Sequence, residues 1–486
     1  VAARKKGGVP ASWSAKAAST RRRSQGHKSV TFEMLASAQL QSRAGAGAVG
    51  AARAGRAHIR AARPAPRRAV LGAGAARAEA SDAPRVQRPD VAAHALAAAE
   101  APRAAAGGGG GGAAAAAPLG APGATLSPYA VEYDAALAAV KLASRLCQAV
   151  QVQLTAGEWA EKEDGSPVSV ADLGAQALVA WSLHDSFAGA PFSMVAEEDA
   201  ADLRVESGAA TLARVTELVN EALAGHGPPG APALSPEQVC DLIDTGASPG
   251  GAVGRHWVLD PIDGTRGFVG GRQYAVCLGL LDAGELVLGV LGAPNLPEAA
   301  ITDADCASGQ ASVPGNEHGV GCAFAAELGR GAWAGPLWVA APPARRVACD
   351  DALAPAACRF MESFEKRHSN HSISAAVAAR IGVVLPSLKL DSQAKYGALS
   401  RGDASIFMRF PDLAYREKIW DHVGAVVVTE AGGRITDALG NKLDFSQGRF
   451  FPFLNGGLVA ATPSMHAAIM GALQEIRDAE KENFEI

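Results

Sequence analysis

His256-Trp257-Val258-Leu259-Asp260-Pro261-Ile262-Asp263-Gly264-Thr265 reads as a short buried strand that ends on two carboxylates set around a proline and then turns at a glycine. Such a strand end exposes backbone carbonyls between Asp260 and Asp263, and oxygen-rich geometry suits hard cations. Taken alone, the same residues could form an ordinary Asp-Gly turn. Two further acidic sites favour the cation. Glu197-Glu198-Asp199 follows the apolar stretch Phe192 to Ala196, again carboxylates at a strand end, and Asp421 precedes Val423, Val426 and Val427, where it could equally cap a helix. Three separated carboxylate sites in one acidic domain repel one another unless cations neutralise them, which predicts Mg²⁺. Thr265 adds a hydroxyl that can orient a water. Phosphate ester cleavage needs these parts: metal to neutralise the transferred charge and a water aimed in line.

Outward from this stretch the chain alternates helices and strands. Val131, Ala135, Ala138, Leu142, Leu146 and Val150 recur at helical spacing, and Ser169-Val170-Ala171-Asp172 leads into a second helix through Leu178 and Trp181. Asp172 thus sits near a helix start, where capping is its alternative role. Between Glu206 and Gly250 the pattern loosens, and Gly225, Gly227, Pro228, Pro229, Gly230 and Pro232 predict a surface insertion. Tyr274 to Leu281, the turn Asp282-Ala283-Gly284 and Glu285 to Leu291 read as a hairpin. A strand over Ala404 to Phe410, a helix from Asp421 to Ala431, a strand near Gly457 to Ala461 and a terminal helix complete one α/β unit, residues 127–486, with two sheet-containing halves.

The first quarter is different in kind. Before Glu79 there are sixteen Lys or Arg against one acidic residue, Glu33, among many Ala and Ser. That is the pattern of an organellar transit segment, plastid before mitochondrion, with the cytoplasm as the destination if it does not act as one. Ala104 to Ala117, almost all Ala and Gly, cannot bury enough apolar surface to order itself, so residues 1–126 read as leader plus linker. Subtracting the leader's excess of fifteen positive charges from the formal −4 leaves −19 for residues 79–486. A domain this acidic repels nucleic acid polymers and anionic membranes, so an anionic ligand must be held by a local device. The seven cysteines, Cys147, Cys240, Cys277, Cys306, Cys322, Cys349 and Cys358, form no Cys-x-x-Cys pair and read as free thiols. The apolar runs are too short for a membrane span, and oligomeric state has no sequence signal.

Asp260 to Thr265, together with Trp420-Asp421 and Glu430-Ala-Gly-Gly433, resembles the two signatures of the inositol monophosphatase superfamily. Within it, Gly264-Thr-Arg-Gly-Phe268, Gly289 to Asn295, Asp391-Ser-Gln-Ala-Lys-Tyr396 and Glu417-Lys-Ile-Trp-Asp-His422 resemble the 3'(2'),5'-bisphosphate nucleotidase branch. The resemblance runs from about Tyr129 to the carboxyl terminus and implies a layered αβαβα sugar-phosphatase-like fold. It implies two or three Mg²⁺ ions held by Glu197, Asp260, Asp263 and Asp421 and by the carbonyl of Ile262, with Asp172 and Thr265 activating the water. It carries substrate contacts onto Gly264, Thr265, His368, Ser392, Lys395 and Arg409. The implied reaction is hydrolysis of the 3'-phosphate of 3'-phosphoadenosine 5'-phosphate to AMP, with 3'-phosphoadenosine 5'-phosphosulfate and inositol 1,4-bisphosphate as further substrates and lithium as inhibitor. Inositol or sugar phosphate hydrolysis on the same core, and a non-catalytic nucleotide sensor, are the alternatives. The family's usual glycine after Trp-Asp is displaced by one place here, to Gly424.

Overall fold

Val258 and its neighbours Trp257 and Leu259 belong to different cores, and this alternation organises the molecule. The computed structural model describes residues 127–482 except 154–158, 162–166, 189, 302–319, 365–370, 412–414, 453 and 455. The leader and linker, the Gly165-Ser166 part of the loop before Pro167, Cys306 and His368 therefore lie outside the described residues. In chain order the elements are α1 (Ala130–Gln153), β1 (Trp159–Glu161), β2 (Pro167–Ser169), α2 (Val170–Ser186), β3 (Met194–Ala196), α3 (Ala209–His226), α4 (Pro236–Asp244), β4 (Arg255–Asp263), α5 (Thr265–Val269), β5 (Ala275–Asp282) and β6 (Glu285–Ala293). There follow β7 (Cys322–Glu327), β8 (Gly331–Pro336), β9 (Arg345–Val347), β10 (Phe360–Glu362), α6 (His371–Ile381), β11 (Leu388–Lys389), α7 (Ala394–Ser400), β12 (Ile406–Arg409), α8 (Ala425–Glu430), β13 (Arg434–Asp437), β14 (Leu458–Ala461) and α9 (Pro463–Glu482).

Strands β3 to β9 form a seven-stranded sheet in sequence order, and a five-stranded sheet runs β11-β10-β12-β14-β13. Successive strand residues point to opposite faces. Trp257 and Leu259 of β4 and Val276, Leu278 and Leu280 of β5 accordingly pack on one side with α1 and α2, whereas Val258, Ala275, Cys277 and Leu281 face the other side. That second core holds α7 and α8 through Tyr396, Val426 and Val427, and Phe407 and Leu458 close it from the five-stranded sheet. The alternate residues Ile406, Met408 and Val459 form a third core with Val377 of α6 and Ile469 of α9. Helix, sheet, helix, sheet, helix is the resulting order, in agreement with the αβαβα expectation.

Several elements differ from the sequence reading. The span 206–250 is not a loose insertion: it holds α3 and α4, with the Gly/Pro segment as their connection. Ser235 caps α4 by accepting from Gln238 N–H while the Gln238 side chain accepts from Ser235 N–H, and Pro236 opens the helix. Ser-Pro-Glu-Gln was a legible helix start overshadowed by the preceding glycines and prolines. In α1 the predicted Ala135, Leu142, Leu146 and Val150 are buried, but Val131 is 61% exposed and Ala138 is exposed too, and Tyr133, Ala136, Leu137 and Val140 widen the buried face. The single helix expected over Asp421 to Ala431 is a 3-10 turn, Ile419–His422, followed by the six-residue α8, whose N-cap is Gly424. Asp421 caps nothing there. The β5–β6 hairpin matches, its two-residue turn made by Ala283 and Gly284, both at positive φ as a primed turn requires. The six described cysteines are unpaired, and no described helix is long and apolar enough to cross a membrane.

Candidate active site

At the end of β4 the register against β5 shifts by one extra residue between Asp260, opposite Cys277, and Asp263, opposite Ala275. Pro261 lacks the N–H that a regular ladder would use, so a bulge is where it is tolerated. The bulge carries Asp260, the Ile262 carbonyl and Asp263 to the edge of one cleft. Gly264 follows at φ +85°, and a Cβ there would sit 2.9 Å from the Ser392 Cβ. Only glycine meets both demands, and the close approach brings the Asp391–Tyr396 segment onto the Asp260–Thr265 segment.

The cleft, about 920 Å³ with its open mouth, is lined by the predicted Glu197, Asp260, Ile262, Asp263, Gly264, Thr265, Ser392, Lys395, Arg409 and Asp421. Carboxylates and cations reach it from different elements: Asp260 and Asp263 lie on β4 and Glu197 just after β3 of the seven-stranded sheet, while Lys395 lies on α7 and Arg409 on β12 of the five-stranded sheet. Asp172 is buried in the first turn of α2 and is not among the lining residues; β2, which runs directly into α2, packs on α5, the helix that Thr265 begins.

Each carboxylate is positioned by named partners. Glu197 follows β3, whose end is clamped by Arg449 donating to the Ala196 carbonyl at 2.5 Å and by Gln176, which bonds both Glu198 N–H and Glu198 C=O at 3.0 and 2.7 Å. Lys418 Nζ lies 2.8 Å from Glu197 Oε1. Asp263 accepts the Gln393 backbone N–H. Asp421 Oδ2 accepts from Arg409 at 3.2 Å and from the Tyr415 hydroxyl at 3.1 Å. Thr265 donates to the Ile262 carbonyl at 3.2 Å.

The electrostatics are those of crowded anions. Burial, then the charges of Glu197, Asp263 and Asp421, push the Asp260 carboxyl well above its ordinary range. Burial and Asp421 bring Asp263 up to about 6. Burial raises Asp421 too, although Arg409 and Lys418 oppose it. Asp260 Oδ1 is buried without a hydrogen-bond partner. Among the described residues no group of three or more His, Cys, Asp or Glu side chains is drawn together closely enough to hold a metal ion. An orphaned buried oxygen and mutually repelling carboxylates are nevertheless a hard-cation donor set, all oxygen, and the residues fit Mg²⁺. Lys395 Nζ donates to Ser363 Oγ at 3.1 Å and to the Leu390 carbonyl at 3.0 Å, and burial brings its ammonium down to about 8.

Residues without an assigned role in the sequence reading hold these parts together. Gln393, 2% exposed, donates from its backbone to Asp263, from its side chain to the Trp420 carbonyl at 2.8 Å, and accepts Gly424 N–H at 2.8 Å. One residue therefore ties its own segment to two others, Asp263 through its backbone and Trp420 to Gly424 through its side chain. Asp391 accepts from Arg272 Nε at 2.9 Å and from Phe364 N–H at 3.1 Å. The glycine displaced to 424 has a packing reason: a Cβ there would lie 2.3 Å from the Tyr396 ring. Arg266, Tyr415 and Lys418 also line the cleft.

A cleft of carboxylates and cations between paired sheets defines a class, and residues 128–478 match the inositol monophosphatase family, so the chain belongs to that family. Its relatives narrow this further. The chain is 46% identical over 351 residues to the 3'(2'),5'-bisphosphate nucleotidase of Oryza sativa, a match covering 72% of this chain and 95% of that one. It is 49% identical over 305 residues to 3'(2'),5'-bisphosphate nucleotidase 1 of Arabidopsis thaliana, covering 63% and 84%. Among solved structures, an inositol monophosphatase from Thermotoga maritima aligns over 71% of this chain and 97% of that chain with 17% identity and a TM-score of 0.44.

Proposed function

We propose that this chain is a Mg²⁺-dependent phosphomonoesterase that removes the 3'-phosphate of 3'-phosphoadenosine 5'-phosphate, giving AMP and inorganic phosphate. The observation that carries the reading is that Lys395 and Arg409 line the same cleft as Glu197, Asp260, Asp263 and Asp421. A substrate with one phosphate needs only the carboxylates and their cations. A second phosphate gives Lys395 and Arg409 a ligand, Arg with a planar fork that matches phosphate oxygens.

In this reading Glu197, Asp260, the Ile262 carbonyl, Asp263 and Asp421 hold two or three Mg²⁺ ions. The ions lower the pKa of water and neutralise charge on the transferred phosphoryl group. Asp172 and Thr265 orient the attacking water and take its proton. Water oxygen joins phosphorus as the bond from phosphorus to the 3'-oxygen breaks, and that oxygen leaves as the ribose hydroxyl. Gly264, Ser392 and His368 contribute substrate contacts, and Lys395 and Arg409 hold the 5'-phosphate. The names of the rice and Arabidopsis relatives support the substrate. 3'-Phosphoadenosine 5'-phosphosulfate and inositol 1,4-bisphosphate are further substrates under the same reading, and lithium inhibits.

Phosphate release by the purified chain from 3'-phosphoadenosine 5'-phosphate, inositol 1-phosphate and fructose 1,6-bisphosphate, with and without millimolar Mg²⁺, tests it. Mg²⁺-dependent release from the nucleotide in preference to the other two is expected. Preference for either of the others would replace the substrate, and binding of the nucleotide without release would make the protein a sensor.

A further inference from the structure

Arg409 lies between two carboxylates, with Nε 2.8 Å from Glu417 Oε1 and Nη2 3.2 Å from Asp421 Oδ2. Only Asp421 belongs to the proposed metal set. Glu417 has its other oxygen 3.1 Å from His422 Nε2, and His422 Nδ1 is 2.8 Å from the Tyr396 hydroxyl. Facing a carboxylate, Nε2 carries a proton and donates to Glu417, while Nδ1 bonds the Tyr396 hydroxyl. A continuous chain results: Tyr396 bonds His422, His422 donates to Glu417, and Arg409 donates to Glu417 from the cleft side.

The rear of this chain is closed. The side chains of Glu417 and His422 are 2% and 1% exposed, whereas Arg409 is 16% exposed at the cleft. Edge-on rings, Phe407 against Tyr396 and Phe451 against His422, fix the two aromatic members. The chain is therefore a rigid mount carrying one guanidinium.

We propose that Glu417 is a positioning residue that sets the guanidinium of Arg409 for the substrate's second phosphate by sharing it with Asp421, to which Arg409 also donates. This rests on the reading of Arg409 as the second phosphate's ligand. Without the charge on Glu417, Asp421 is the carboxylate left to hold Arg409, so the guanidinium is drawn away from the second-phosphate site and toward the metal set.

Kinetics of the full chain and of Glu417→Gln and Tyr396→Phe, on 3'-phosphoadenosine 5'-phosphate and on adenosine 3'-phosphate, test the proposal. The two substrates share the scissile bond and differ by the second phosphate. In Glu417→Gln the KM for the bisphosphate should rise about 10- to 100-fold, and that for the monophosphate less than about threefold. Tyr396→Phe should move the same ratio in the same direction by less. The Mg²⁺ concentration that half-saturates the rise in melting temperature, without substrate, should increase in Glu417→Gln. Equal KM changes on both substrates, or a lower melting temperature with unchanged KM ratio and Mg²⁺ midpoint, would overturn the proposal. Should Glu417→Gln fail to fold, an unchanged ratio in Tyr396→Phe overturns it. If the wild-type chain shows no preference for the bisphosphate, the proposed function fails, and the Mg²⁺ midpoint alone decides this inference.

Discussion

Asp263 is pushed up to about 6 because it is buried beside Asp421. A carboxyl whose folded pKa exceeds its unfolded value binds its proton more tightly when folded, so its contribution favours folding at low pH and is lost as pH rises from about 3.8 towards 6. Asp263→Asn removes the repulsion and keeps an oxygen to accept Gln393 N–H. In chelator at pH 8 the variant should therefore melt a few degrees above the wild type, and the gap should vanish at pH 4, by differential scanning calorimetry. Its turnover in Mg²⁺ should fall by roughly 10²-fold or more; near-normal rates would contradict the metal assignment. Arg409→Ala should raise KM for a bisphosphorylated nucleotide roughly 10- to 100-fold, since charge-assisted hydrogen bonds contribute about 1.5–3 kcal/mol, with a smaller effect on monophosphates in the same assay. At this scale the carboxylates were legible because strand-end Asp and Glu after apolar runs have few bland explanations in combination. Gln393 was not. A buried glutamine that bonds Asp263 through its backbone N–H and Trp420 and Gly424 through its side chain has no spacing signal, because its partners lie 130 and roughly 30 positions away.

The elements around the cleft were mostly visible from period and turn chemistry. The strand β4, the β5–β6 hairpin and the helices α1 and α2 follow directly from apolar alternation and helical spacing. The failures have physical causes. Asp421 looks like a helix cap, but the segment takes a 3-10 turn that spends its carboxylate on Arg409 and Tyr415, and α8 begins four residues later. Tertiary contact decided this, since Gly424 must come within van der Waals distance of Tyr396. Gly424→Ala should consequently cost about 1–3 kcal/mol in chemical denaturation and lower turnover by displacing the segment that carries Asp421. Gly225→Ala, inside α3 where an added Cβ would meet nothing within 4 Å, should leave turnover unchanged and raise stability by up to about 1 kcal/mol. The Gly/Pro-rich connection between α3 and α4 obscured two helices because breakers are read locally, while Leu212, Val215, Leu218, Val219, Ala222 and Leu223 of α3 recur at helical spacing.

Across the whole molecule, the charge distribution follows the proposed division of labour. A basic segment of about eighty residues precedes an acidic remainder, within which Arg266, Lys395, Arg409 and Lys418 share the cleft with its carboxylates. We propose that residues 1–126 direct the chain to an organelle and that 127–486 is the catalytic domain. A fluorescent fusion of residues 1–126 is expected to accumulate in plastids, and diffuse cytoplasmic signal would contradict the leader reading. The two-sheet plan was legible because alternating strands and helices leave few arrangements. The pairing of the sheets was not, since it depends on Gly264 admitting Ser392 and on Gln393 bridging distant segments. The specificity constants for 3'-phosphoadenosine 5'-phosphate and adenosine 3'-phosphate, measured in saturating Mg²⁺, test the central claim most directly. The bisphosphate should be favoured by roughly 100-fold, as two charged contacts from Lys395 and Arg409 imply; equal constants would contradict it.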